Sequence, residues 1–163
     1  MDGAAATPTE IVQTWLDRVS DTFFRDDFDG FAAAIDLPFV LTTQASRTVL
    51  TSRDDLRAGF DAWVKMIRGH RATHLIRTAR EVQQITPNLI TATYDSEMLR
   101  NGTRLVPGFS SWMMLVRRDG VWRSDQLISG IVNASYPFSL LKVDPTAPAP
   151  DPCSIPKPPA PDA

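Results

Sequence analysis

Few side chains in this sequence are suited to acid–base chemistry. His70 and His74 are its two histidines, and imidazole titrates close enough to neutrality to accept a proton with little tuning. His70 follows a helical segment and reads as a surface or helix C-terminal residue. His74 reads either as a general base or as a pocket histidine hydrogen-bonded to a neighbour, because no orienting carboxylate can be named for it. Asp95 and Asp125 are the tempting carboxylates, and Tyr94, Ser111 and Gln126 are hydrogen-bonding groups in the same strand-rich text.

Other chemistries lack their residues. Cys153 is the single cysteine; it excludes an intrachain disulfide or cysteine-based metal site and sits among prolines, with no base to lower its pKa. Gly108-Phe109-Ser110-Ser111-Trp112 lacks the glycine that follows the serine of a nucleophile elbow. No phosphate loop, dinucleotide fingerprint or H-E-x-x-H occurs, so no metal or cofactor is expected. Asn101-Gly102-Thr103 and Asn133-Ala134-Ser135 match glycosylation sequons, but the first is better explained as a hairpin turn.

The elements that position these groups begin with helices. Thr7 caps, Pro8 suits the first helical position and Glu10 completes a capping box, while Ile11, Val12, Trp15, Leu16, Val19 and Phe23 form an apolar stripe over Pro8 to Arg25. A short second helix is expected from Phe31 to Asp36, stopping before Pro38. Phe39 to Thr43 and Arg47 to Thr51 read as strands. Ser52 and Asp55 then cap a third helix with Leu56, Phe60, Trp63, Val64 and Ile67 inward and Gly69 at its end. From Ala72 to Ala134 the text is strand, punctuated by Thr86-Pro87-Asn88, Asn101-Gly102 and Asp119-Gly120, which predicts a four-strand antiparallel meander.

Composition bounds the partners. The 163 residues carry 19 acidic and 17 basic side chains, so the basic excess that nucleic acid requires is missing. No apolar run approaches the roughly 18 residues of a membrane span, and Met1 to Pro8 lacks the regions of a signal peptide; a cytoplasmic protein without membrane contact is expected. Of 13 prolines, 8 fall between Pro145 and Ala163. The expected organisation is a domain over 7–144 and a proline-rich tail over 145–163, extended or solvated, in which Pro156 and Pro159 form a P-x-x-P pair open to a proline-recognising partner.

The order helix, helix, hairpin, helix, meander is α+β. With its amphipathic first helix, Asp29-Gly30-Phe31, Ser52-Arg53-Asp54-Asp55-Leu56 and the hairpin Leu115 to Arg123, it resembles the nuclear transport factor 2-like superfamily, which includes SnoaL-like polyketide cyclases and ketosteroid isomerases. The resemblance covers about Thr7 to Ala134. It implies a cystatin-like cone: three helices in the N-terminal half packed on the concave face of a strongly curved, mostly antiparallel sheet. A ketosteroid isomerase-like site would need a carboxylate near the first strand and a tyrosine on helix one. Phe39-Val40-Leu41-Thr42-Thr43-Gln44 and Trp15 stand there instead. Of the Asp/His pair that a SnoaL-like cyclase implies, His74 is the one plausible survivor.

Register decides which side chains share the concave face. Two-residue turns at Asp119-Gly120 and Asn101-Gly102 pair Met113 with Gln126, Ser111 with Ile128, Tyr94 with Phe109 and Ala92 with Ser111. Tyr94, Phe109, Ser111, Met113 and Gln126 then face inward, with Trp15 and Trp63 above them; these residues and His74 are the predicted ligand-binding set. A three-residue loop at Pro87 would put His74, Ile76 and Val82 inward and Arg77 outward, whereas two residues would set Arg80 opposite Asp95; the first is adopted because it supplies apolar residues to the concave side. Asp95 and Asp125 point away from the pocket. Trp112, Met114, Arg123 and Leu127 on the outer face suit a homodimer interface. A small, mostly apolar ligand is expected, bound alone or processed by cofactor-free isomerase, cyclase or dehydratase chemistry; the alternative is a non-catalytic association domain whose cavity is filled by Trp15, Trp63 and Met113.

Overall fold

The computed structural model of the chain describes residues 4–44 and 46–131. The end of the domain at 144, the 145–163 tail with Cys153 and its P-x-x-P pair, and the Asn133 sequon lie outside the described residues. In α1 (Pro8–Arg25), Thr7 and Glu10 exchange the two bonds of a capping box, and Val12, Trp15, Leu16, Val19 and Phe23 are buried. The helix ends where Asp26 turns left-handed at φ 55°.

The second helix starts earlier than its apolar text suggested. Asp27 accepts the Gly30 N–H at 2.9 Å, and this cap sets α2 at Phe28–Ala33. Residues expected to end that helix, Ile35 and Asp36, instead begin β1 (Ile35–Thr42), which pairs with β2 (Arg47–Leu50). Ser52 and Asp55 form the second capping box at the start of α3 (Arg53–Gly69). Strands β3 (His74–Thr86), β4 (Leu89–Arg100), β5 (Thr103–Arg104), β6 (Phe109–Arg118) and β7 (Val121–Ser129) complete the described chain.

The sheet order is β2-β1-β7-β6-β4-β3, with β5 beside β4. Among the described residues only β1 and β7 run parallel. Asn101-Gly102 and Asp119-Gly120 all adopt positive φ, the requirement of type I′ hairpin turns. A single core joins α1, α2 and α3 to the inner sheet face through Phe23, Phe28, Phe31, Phe60, Ile90, Met98, Met113 and Leu115. No helix among the described residues is long and apolar enough to cross a membrane.

Register departs from the turn-based expectation in three places. Tyr94 pairs with Ser111 and Ala92 with Met113, a shift of two that preserves faces; after Leu105, whose N–H still donates to the Met98 carbonyl at 2.9 Å, Val106 to Gly108 leave the ladder, where Pro107 has no N–H to donate. Between β6 and β7 a bulge leaves Asp125 without a partner, so Met113 meets Leu127 instead of Gln126. One extra residue exchanges the faces beyond it. Leu127 and Ser129 therefore turn inward, and Gln126 and Ile128 outward.

The third change is in β3. Thr86 pairs with Leu89 across a two-residue Pro87-Asn88 turn, and Arg77 pairs with Ser96. Leu75 and Arg77 are buried while His74, Ile76 and Thr78 are exposed, the reverse of the three-residue-loop reading. A second irregularity between Ala79 and Val82 returns Val82 to the core side.

Candidate functional site

Cross-strand pairing builds the inner face as rows. Arg77, Ser96 and Phe109 form one row across β3, β4 and β6. Tyr94, Ser111 and Ser129 form the next, and Ala92, Met113 and Leu127 the one beyond. Above the first two rows lie Trp15, Val19 and Phe23 of α1, Phe31 of α2 and Trp63 of α3, with Ile35, Phe39, Leu41 and Leu50 closing one side. They enclose a cavity of about 70 Å³, smaller than the roughly 300–1,000 Å³ of pockets for drug-sized ligands. Half-buried Trp63, Phe109, Leu127 and Ile131 form its rim.

The aromatic wall is fixed from behind. Trp15 donates its indole N–H to the Ala34 carbonyl at 3.1 Å, and Phe23 stacks on Trp63 with ring centroids 5.6 Å apart. At the rim, Gly130 passes so close to the Ser110 carbonyl that a Cβ would lie 2.0 Å from the oxygen. Only glycine permits that approach, which places Ser129 and Ile131 against the cavity.

Polar capacity inside the cavity is concentrated on Arg77. The residue is 9% exposed, its Nε has no hydrogen-bond partner, and among the described residues no carboxylate pairs with its guanidinium. It lies 5.8 Å from the ring centroid of Phe23 and 5.8 Å from that of Tyr94, within range of a cation–π attraction. Burial pushes its pKa down, with the Tyr94 hydroxyl acting in the other direction. Burial likewise raises the Tyr94 hydroxyl above the ordinary phenol range, opposed by the Arg77 charge, so this group is a donor at neutral pH. The buried Ser96 hydroxyl also lacks a partner, while the Ser111 hydroxyl faces that of Tyr94 and works against the rise in its pKa.

The strand that carries Arg77 is held by one side chain of α1. Gln13 donates its amide N–H to the Arg77 carbonyl at 2.8 Å and accepts the Ala79 N–H at 2.9 Å. Its amide thus acts as a neighbouring strand would, satisfying two backbone groups on the open edge of β3. Asp17 steadies the same amide at 2.8 Å.

Of the predicted set, Trp15, Trp63, Tyr94 and Phe109 line the cavity. Ser111 and Met113 are buried in the inner face but do not line it. His74 and Gln126 lie outside: the exposed His74 ring contacts the neighbouring Thr73 hydroxyl at 2.9 Å, and the β7 bulge carries Gln126 to the other face. Leu127, assigned to the outer face, is a cavity residue. Arg123 donates to the Ala33 carbonyl at 3.1 Å. Asp95 is on the outer face, bonded to Arg80 and Ser110. Asp125 does not line the cavity; its carboxyl is raised above the ordinary range chiefly by burial, and further by Asp36.

Apart from Trp15, the predicted set omitted the wall supplied by α1, α2, β1 and β2 and, on the later strands, Arg77, Ser96, Leu127 and Ser129. The available signal was charge pairing, since the two-residue loop that set Arg80 opposite Asp95 also turns Arg77 inward.

The geometry is that of known structures. An NTF-2 like protein of unknown function from Shewanella oneidensis MR-1 superposes with a TM-score of 0.61 at 14% identity, over 77% of this chain and 100% of that one. A domain of unknown function with a cystatin-like fold from Nostoc punctiforme PCC 73102 gives 0.59 at 15% identity, covering 77% and 78%. Aln2 from a Streptomyces species gives 0.60 at 23% identity, covering 77% and 92%. No protein-family model and no curated protein sequence matches the chain. The chain has the α+β, NTF2-like, cystatin-like fold.

Proposed function

We propose that this domain binds a small, mostly apolar molecule between its helices and its sheet. The observation that carries the reading is the cavity itself. Protein interiors ordinarily pack with few voids larger than a water molecule; here Trp15 and Trp63 stand as walls around space that they could have filled. A pocket of apolar walls with a few polar groups is the usual form of a small-molecule site. Among the described residues, none that lines the cavity is an aspartate, glutamate or histidine, while Arg77, Tyr94 and Ser96 offer donors. That composition favours holding a ligand over abstracting a proton.

Titrating the full chain with small neutral aromatics such as indole, followed by calorimetry, tests this. Saturable binding is expected, and Leu127→Trp, which fills the cavity from its rim, should abolish it while unfolding remains cooperative. Binding that survives the filling would refute the reading.

A second reading, association of two copies through the outer sheet face, has its own support. Trp112 and Ile128 are cross-strand partners there, and Ile128 is 42% exposed. Met114 lies beside them, paired with Gln126. Sedimentation should show a dimer that Trp112→Lys dissociates; a monomer at all concentrations refutes it.

A further inference from the structure

We infer that the molecule in this cavity carries a single carboxylate, received by Arg77 with the Ser96 hydroxyl beside it; the inference rests on the cavity being a ligand site. A guanidinium stays charged in proteins and offers five N–H donors in a planar fork. Such a group is retained in an apolar interior when an anion or a set of acceptors meets it. The described residues supply neither: Arg25, Arg53, Arg57, Arg68, Arg80, Arg104 and Arg118 each have a carboxylate partner, and the buried Arg77 has none. The flanking rings of Phe23 and Tyr94 offset part of its charge but accept no conventional hydrogen bond.

The head group follows from what the site can satisfy. One buried cation balances one negative charge, and a planar carboxylate takes two parallel N–H bonds from the fork. A phosphoryl group brings nearly two charges and would leave one of them buried without a partner. A neutral alcohol or amide would leave the guanidinium uncompensated. Ser96 is the cross-strand partner of Arg77, and its unpartnered hydroxyl also lines the cavity, so it can donate to the same head. The walls beyond, from Trp15, Phe39, Leu41 and Leu127, are apolar, which makes the rest of the molecule a compact hydrocarbon or aromatic body.

The test uses the full chain and two matched series, straight-chain monocarboxylates of four to ten carbons and the primary alcohols of the same lengths, by calorimetry. At least one carboxylate should saturate a single site and bind about tenfold or more tighter than its alcohol, the scale of a hydrogen bond to a charged group. Arg77→Met should remove that preference, and Arg77→Lys should retain part of it. If alcohols bind as tightly as carboxylates, or Arg77→Met binds carboxylates unchanged, the charge is not used and the inference falls while the cavity reading stands. If neither series nor the neutral aromatics bind, both fall. Should Arg77→Met not fold, the carboxylate-to-alcohol ratio in the unsubstituted chain decides.

Discussion

Arg77 and Arg80 are three residues apart on β3, yet the first is buried without a carboxylate and the second lies outside with its Nε 2.6 Å from Asp95. The same contrast holds for the two faces of the sheet. Outside, Asp95 also accepts the Ser110 hydroxyl at 2.6 Å, and Arg104 meets Glu97. Inside, Arg77 and Ser96 hold unused polar atoms. Exposed pairs of the outer kind contribute little to stability, whereas a buried charge without a partner costs on the order of several kcal/mol. A fold retains such a cost where it serves something other than the fold. The inner face is therefore where the proposed ligand would find unused donors, and the outer face shows the same residue types paired with one another.

The comparison is broken most directly at Arg77. In the ligand-free chain, Arg77→Met exchanges an uncompensated charge for an apolar side chain of similar length, so stability should rise by about 1–4 kcal/mol. At roughly 2–4 °C per kcal/mol for a chain of this size, the melting temperature should climb by several degrees in a calorimetric scan. A fall would mean that the guanidinium already has a partner.

Gln13→Ala comes next, with the opposite sign. It frees the Arg77 carbonyl and the Ala79 N–H at once, and each unsatisfied backbone group costs about 1–3 kcal/mol when water cannot fully replace its partner. Because β3 is an edge strand, water recovers part of this, and a net loss of about 1–3 kcal/mol is expected. Hydrogen exchange should show it as faster exchange confined to β3 around Ala79. Uniform loss of protection would place the role of Gln13 elsewhere.

What the sequence revealed and what it concealed divides along the range of the interactions. Both capping boxes, the helices they start, the type I′ turns and the α+β order were legible because each is set by residues within a few positions of one another. The burial of Trp15, Tyr94 and Met113 was legible because their periodicity is local too. The inner membership of Arg77 and Leu127 was not. It depends on a two-residue turn at Pro87-Asn88 and three register shifts, two in β3 and one between β6 and β7, and one added residue exchanges every face beyond it. In β3 the alternation is ambiguous: Ile76 and Val82 argue for one face, Leu75 and Ala79 for the other, and the irregularity between Ala79 and Val82 lets Leu75, Ala79 and Val82 all face the core while Ile76 is exposed. That choice carried His74 into the predicted site and Arg77 out of it. The Gln13 clamp joins residues more than sixty positions apart and leaves no trace in any local pattern.

The outer face gives the smallest effect and a pH signature of its own. The Ser110 hydroxyl, and then Arg80, hold the Asp95 carboxyl below its ordinary value. A depressed acid stabilises the fold above the pKa of the unfolded chain, and that contribution is lost as pH falls through the lower, folded-state value. Asp95→Asn should therefore leave the neutral-pH melting temperature within about 2 °C of the unsubstituted chain and flatten its acid limb slightly. In about 1 M salt, where the screening length is about 3 Å, the part of the difference that Arg80 supplies should shrink and the part from Ser110 should persist. Melting scans from pH 2 to 7 at two salt concentrations would measure both. If Asp95→Asn cost as much as Gln13→Ala, the outer network would be as structural as the clamp behind Arg77, and the division between a relaxed outer face and a strained inner one would fail.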